Sequence, residues 1–156
     1  LSLVVIKSGA DVTARLRRYS TVKVDKLARL DLSGYILKKD SPSCGMERVK
    51  VYTTAMPERA GRGLFAEALL ARLPNLPVEE EGRLGDPRLR ENFIERVFAY
   101  RRLRALFRDR WTVGALMQFH TAHKLTLMAH SPVAYRALGR LVAAATPSNR
   151  AATGAQ

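Results

Sequence analysis

The sequence predicts an α/β unit followed by an all-α segment, and three observations carry that expectation. First, apolar residues recur at helical spacing after Asp11, and the pattern hands over at Ser33-Gly34 to the short apolar run YILK and the turn-rich KDSPSCG. Helix, strand and loop in that order make half of an α/β unit. Second, Asp86-Pro87 joins a helix N-cap to the favoured first-turn proline and opens a long helix. Third, Thr112 and Ser131-Pro132 are start signals for two further helices.

Each element follows from local chemistry. Asp11 is a good N-cap after Gly9, and Val12, Leu16, Tyr19, Val22, Leu27 and Leu30 form the apolar side of an amphipathic helix with arginine and lysine between them. YILK has the character of a buried strand. MERVKVY alternates apolar and charged residues, as a second strand or an extended loop would. GLFAEALLARLP is a helix closed by Pro74, and LPVEEEGRLGDP is a loop with at most a short strand at Val78. The helix opened by Asp86 is expected to reach about Arg110, with Leu89, Phe93, Val97, Tyr100 and Phe107 along one side. Thr112 caps VGALMQFHTAHKLTLMAH as one helix, and Ser131-Pro132 starts VAYRALGRLVAAA. The tail TPSNRAATGAQ has no apolar pattern and is expected to be disordered.

Composition narrows the function. At 156 residues and 47% hydrophobic, the chain can bury a core. Lys+Arg 27 against Asp+Glu 14 gives a net charge of +13, which fits a polyanionic partner such as nucleic acid. A basic surface inherited from an arginine-rich proteome is the plainer reading. One cysteine closes no internal disulfide, LSLVVI lacks the features of a signal peptide, and no apolar run approaches the roughly 20 residues that span a bilayer. A soluble protein of a reducing cytoplasm is expected, without a membrane partner. The chain opens on Leu1 as though already inside a domain, and reads as a fragment or a processed product.

Cys44 is crowded by Lys38, Lys39, Arg48 and Lys50, and cations favour the thiolate that serves as nucleophile or metal ligand. A small buried apolar cysteine is the equal alternative. If its sheet is parallel, its loop leaves the carboxyl end of a strand, where ligand sites of open α/β sheets lie. Ser41 and Ser43 either turn that loop or hydrogen-bond a ligand. His120 and His123 stand at helical spacing with His130 beyond, but no third ligand joins them in a zinc pattern. With Lys124 they are expected to form a partly cationic helix face that meets phosphate or water. Arg101, Arg104 and Arg108 follow one another at about one helical turn, either as a solvated side or as a phosphate-contact surface. Glu79, Glu80 and Glu81 could hold a local basic group or serve as a general base.

GYILKKDSPSCGMERVKVY, GLFAEALLARLPNLPVEEEGRLGDPRLRENFIERVFAYRR and FHTAHKLTLMAHSPVAYRALGRLVA together resemble consecutive blocks of bacterial proteins that join a thiouracil-desulfidase-like (TudS) domain to a YbgA-type domain. The resemblance implies a partial TudS-like α/β sheet with helices over residues 1–85, a helical connector and the start of a YbgA-type domain over 86–145, and a tail over 146–156. It implies removal of sulfur from 4-thiouridine in transfer RNA, with the YbgA-type part helping to hold the RNA. In that family three cysteines hold a four-iron, four-sulfur cluster that leaves one iron open to the substrate sulfur, an acidic residue activates water, and a serine of the SPSCG loop assists. By motif, Cys44 resembles the last cluster ligand and Ser41 the assisting serine. Arg101, Arg104, Arg108, His120, His123 and Lys124 become the candidate contacts to transfer RNA. The chain departs from the family in having no second or third cysteine, so alone it is expected to hold no cluster and to be inactive. After GRLVAAATP the tail leaves the family pattern. Two other readings stand beside the enzyme: a non-catalytic, basic nucleic-acid-binding module, and a truncated product without activity.

Overall fold

The computed structural model describes residues 2–52, 56–108 and 111–149. The chain divides into two units, Leu1–Val97 and Phe98–Gln156. The fold class is as expected: strands and helices mix in the first unit, and the second is helical. Among the described residues, no helix is long and apolar enough to cross a membrane.

The first unit begins with a loop closed by an antiparallel bridge between Val4 and Asp11. The first helix, α1, is Thr13–Ala28. Asp11 accepts the Thr13 N–H at 2.8 Å, so it caps the helix from just outside its assigned start. The buried side of α1 is the expected one only in part: Leu16 and Leu27 are half-buried, Tyr19, Val22 and Leu30 are exposed, and the most deeply buried residues are Ser20 and Val24. The reason is size: the row containing Ser20 and Val24 lets α1 lie close to Ala68 and Ala71 of the second helix, α2 (Leu64–Arg72). Arg17–Glu67 at 3.6 Å and Arg72–Asp25 at 3.3 Å join the same two helices.

Strand β1 (Tyr35–Leu37) lies where YILK is expected to form one, but of its residues only Leu37 is buried and Ile36 is exposed. Strand β2 (Val49–Val51) pairs antiparallel with β3 (Glu58–Gly61), an element not foreseen in the sequence. Strand β4 (Val78–Glu80) lies parallel to β1, with Tyr35 opposite Val78 and Leu37 opposite Glu80. Parallel neighbours need a crossover, and β2, β3 and α2 lie within it. Leu37, Leu69 and Val24 are almost fully enclosed, each contributing about 2 kcal/mol of apolar burial.

Helix α3 (Pro87–Arg108) starts as expected, with Asp86 Oδ1 accepting the Arg88 N–H at 2.8 Å. Phe93 is buried and, with Val97, closes over Gly34. The expectation that α3 reaches Arg110 concerns residues outside the described ones.

In the second unit, Thr112 Oγ1 accepts the Ala115 N–H at 3.1 Å and Ser131 Oγ that of Ala134 at 3.2 Å, as the start signals predict. The single helix expected over 113–130 is instead two, α4 (Val113–Ala122) and α5 (Lys124–His130). The break falls at His123, whose Nδ1–H donates to the Phe119 carbonyl at 2.8 Å, a local bond that competes with the helix ladder. Helix α6 (Pro132–Ala143) completes the unit. The tail expectation is corrected at its start: Asn149 Oδ1 accepts the Thr146 N–H at 2.7 Å and Asn149 Nδ2 donates to the Ala144 carbonyl at 2.9 Å, making an ordered turn. Residues 150–156, and Leu1 with which the chain opens, lie outside the described ones.

Candidate functional site

The sheet of β1 and β4 is parallel, so the loop after β1 leaves a carboxyl end and Cys44 stands where α/β sheets carry ligands. Ser41 organises that loop. Its Oγ accepts the Ser43 N–H at 3.3 Å and the Cys44 N–H at 3.2 Å, and its carbonyl accepts the Gly45 N–H at 2.7 Å. The Ser41 and Ser43 hydroxyls are 3.0 Å apart, and Ser43 Oγ is 3.3 Å from Cys44 Sγ. Of the two uses expected for these serines, turning the loop is the one the structure displays, and their hydroxyls form a chain that ends on the thiol. Cys44 itself is half-buried.

The loop is seated on the start of α2. The Phe65 and Ala66 N–H groups donate to the Ser43 carbonyl at 2.8 and 3.2 Å, that of Leu64 to Pro42 at 3.3 Å, and that of Gly63 to Gly45 at 2.8 Å. These are the orphan donors of a helix N-terminus, and here the cysteine loop satisfies them. Two glycines allow the close approach. A Cβ on Gly63 would lie 2.4 Å from the Ser43 carbonyl oxygen, and one on Gly45 would lie 2.3 Å from Val49 Cγ2.

The surrounding charges differ from the sequence picture of bare cations about a thiol. Lys38 Nζ pairs with Glu81 at 2.7 Å, and Lys39 Nζ lies 4.0 Å from Asp40. Glu79 and Glu80, expected in a loop, are instead buried in β4. Burial is tolerated because each carboxylate has partners. Glu79 Oε1 accepts the Glu80 N–H at 3.0 Å and lies 2.7 Å from Arg83 Nε, an ion pair whose N–H is not aligned for a hydrogen bond. Glu80 Oε1 accepts the Met46 N–H at 2.7 Å, fixing the far end of the cysteine loop. The triad of glutamates thus holds basic groups and backbone, the first of the two uses considered for it.

Sequence reasoning missed Tyr35. Its ring lies 6.0 Å from that of Phe65, and burial first, then the charges of Cys44 and Tyr19, push its phenol above the ordinary range. At neutral pH it remains a hydroxyl donor beside the loop. Its position on YILK signalled only a strand. Also missed is a depression of about 320 Å³ beyond Met46, lined by Arg48, Arg59, Arg62, Glu47, Ala60 and Gly61. The unforeseen strand β3 creates it by returning Arg59 and Arg62 beside Arg48.

The remaining candidates lie in the second unit. Arg101, Arg104 and Arg108 are exposed along α3, and the Arg104 guanidinium sits 5.7 Å from the Tyr100 ring centre. Lys124 is exposed at the start of α5. The expectation that His120 and His123 share a cationic face with it is corrected. His120 stacks on Tyr135 with centroids 5.5 Å apart, and His123 lies 4.1 Å from the Phe119 ring. The Nε2 atoms of both are buried, because the imidazoles pack as aromatic spacers among α4 to α6. Among the described residues, no three His, Cys, Asp or Glu side chains are grouped as metal ligands.

No curated protein and no solved structure matches the chain. The sequence model of one family, described as 2-thiouracil desulfurase, matches residues 2–81. That span is more than half of the chain and contains β1, the Ser41–Cys44 loop, α2 and β4. With its cysteine loop at the carboxyl end of a parallel strand and inside the matched span, the chain belongs to the 2-thiouracil desulfurase family, and its function is of the desulfidase type.

Proposed function

We propose that this chain is part of an iron-sulfur-dependent desulfidase that removes sulfur from thiolated uracil, 4-thiouridine, in transfer RNA. The observation that carries the reading is the hydroxyl chain from Ser41 through Ser43 to Cys44 Sγ, with links of 3.0 and 3.3 Å, in a loop belonging to a desulfurase family. A hydroxyl fixed by two backbone N–H groups is pre-oriented to donate to, or move a proton for, a base held at the thiol. Tyr35 and Phe65 supply aromatic surface on the strand and helix that frame the loop.

The group this family implies does not fit the chain taken alone. A cluster with three thiolate ligands cannot be held by one cysteine, so the other thiolates would have to come from outside these 156 residues. Beyond Val97, the resemblance to a YbgA-type domain and the exposed row Arg101, Arg104 and Arg108 support contact with the RNA backbone.

A second reading, a nucleic-acid-binding module without activity, is favoured by the single cysteine and that arginine row. The two separate in a relative that keeps the SPSCG loop and carries two more cysteines. There, alanine at the position of Cys44 should abolish the cluster spectrum and the loss of 4-thiouridine absorbance from transfer RNA. Alanine at the position of Ser41 should preserve the spectrum and slow turnover by about 10²-fold or more. Parental desulfuration in both variants would make the loop structural and leave the binding module as the better account. The present chain, reconstituted with iron and sulfide, should give no stoichiometric four-iron spectrum by itself.

A further inference from the structure

Glu80 is the most enclosed carboxylate among the described residues, at 3% exposure, and the fold pairs it with no cation there. Its side chain accepts one hydrogen bond, from the Met46 N–H at 2.7 Å. A single N–H makes such burial tolerable and does little more, since desolvation offsets most of what the bond returns. What the carboxylate supplies is direction. Glu80 ends β4 opposite Leu37, the last residue of β1, so it stands at the carboxyl ends of both parallel strands, beside the loop that leaves β1. Its own backbone is tied from behind: Glu79 Oε1 accepts the Glu80 N–H at 3.0 Å and lies 2.7 Å from Arg83 Nε.

Met46 carries that placement toward the thiol. The Gly45 carbonyl and the Met46 N–H belong to one peptide plane, and they are taken from opposite edges, by the Gly63 N–H at 2.8 Å and by Glu80. A plane held at both edges cannot rotate. The plane before it is held through the Gly45 N–H, which donates to the Ser41 carbonyl at 2.7 Å, and the Cys44 N–H is taken by Ser41 Oγ at 3.2 Å. Cys44 thus stands between backbone pinned by Ser41 on one side and by the Gly63–Glu80 pair on the other. We infer that Glu80 is a positioning residue of the desulfidase: by its reach as an acceptor it holds the exit of the loop, so that Cys44 Sγ and the two serine hydroxyls keep one alignment. Glu80 touches no reacting atom in this role. The inference rests on the desulfidase reading, which makes the Ser41–Cys44 alignment the part that reacts, and a misplacement of about 1 Å there costs up to about 10²-fold in rate.

The test compares the whole chain with Glu80→Asp, which keeps the charge but withdraws the acceptor by one methylene, and with Glu80→Gln, which keeps the reach and removes the charge. Hydrogen exchange by NMR reads the Met46 amide, and iodoacetamide reads Cys44. In Glu80→Asp the Met46 amide should exchange at least about tenfold faster than in the parent, and alkylation of Cys44 should speed up by about threefold or more. Glu80→Gln should stay within about twofold of the parent in both, since its carbonyl still reaches the N–H. The amides of Val24 and Leu69, buried in the core, separate positioning from general loosening and should exchange at the parental rate in both variants. In a relative that carries two more cysteines, aspartate at the position of Glu80 should lower kcat by about tenfold at a nearly parental KM, and glutamine should restore it. Parental exchange at Met46 in Glu80→Asp, equal acceleration at Leu69, a glutamine variant as impaired as the aspartate one, or a parental kcat with aspartate would overturn the role. Exchange and alkylation need no turnover. A relative that does not desulfurate at all would instead count against the desulfidase reading, whatever Glu80 does for the loop.

Discussion

Lys38 and Glu81 meet where β1 and β4 end, at the threshold of the cysteine loop. Glu81 takes Lys38 Nζ at 2.7 Å on one oxygen and the Lys39 N–H at 2.6 Å on the other. The Lys38 hydrogen bond, followed by that of the Lys39 backbone, holds the Glu81 carboxyl below its ordinary value of 4.5, while Glu81 raises Lys38 above 10.5. The Glu81 contribution to stability is therefore present above about pH 4.5 and fades as pH falls through the lower folded value. The Lys38 contribution is present below about pH 10.5 and fades as pH rises through its higher folded value. Both side chains face solvent, so the effect on global stability is small, and the titration itself is the better readout. Carbon-13 NMR of the Glu81 carboxyl should give a midpoint below 4.5 that moves upward in Lys38→Met. An unmoved midpoint would transfer the cause to the Lys39 backbone alone.

At the scale of elements, the seat of the cysteine loop on α2 sets a sharper test. A methyl group on Gly63 would press on the Ser43 carbonyl and the Cys44 N–H at 2.4 and 2.6 Å, both backbone atoms that cannot swing aside. Gly63→Ala should cost about 1–3 kcal/mol and change the rate at which iodoacetamide alkylates Cys44. Gly85→Ala, with nothing within 4 Å of the added carbon, is the control and should leave both unchanged. A parental alkylation rate in Gly63→Ala would mean that the loop is not held by α2. The sequence carried the parts of this arrangement unevenly. Caps at Asp86, Thr112 and Ser131 were legible because one side chain and its own local backbone decide them. The strand β3 was not, because ERAG has no apolar alternation and is a strand only through its pairing with β2. The buried side of α1 was legible only at Leu16 and Leu27, because Ser20 and Val24 are selected by the closeness of α2, a tertiary fact, and not by hydrophobicity along the helix. The loop of Ser41 and Cys44 was legible as a candidate site from its turn residues and its place after a strand. Its hydroxyl chain and the arginine hollow beside it needed the fold.

At the scale of the whole molecule, a net charge of +13 gives any polyanion an attractive surface, so affinity alone cannot identify a binding face. Salt dependence can. Each phosphate neutralised by a cation releases counterions and adds to the slope of log affinity against log salt, while a cation elsewhere on the surface adds little. Arg101, Arg104 and Arg108 lie on one exposed side of α3, spaced to follow a backbone of phosphates, and His120 and His123 are withdrawn into packing, which leaves the arginines as the chief candidates of the second unit. Replacing the three together by glutamine keeps helix propensity near parental and removes their charge. The slope for transfer RNA should then flatten by about one to three units. Equal slopes for the triple variant and the parent would take the row out of the interface.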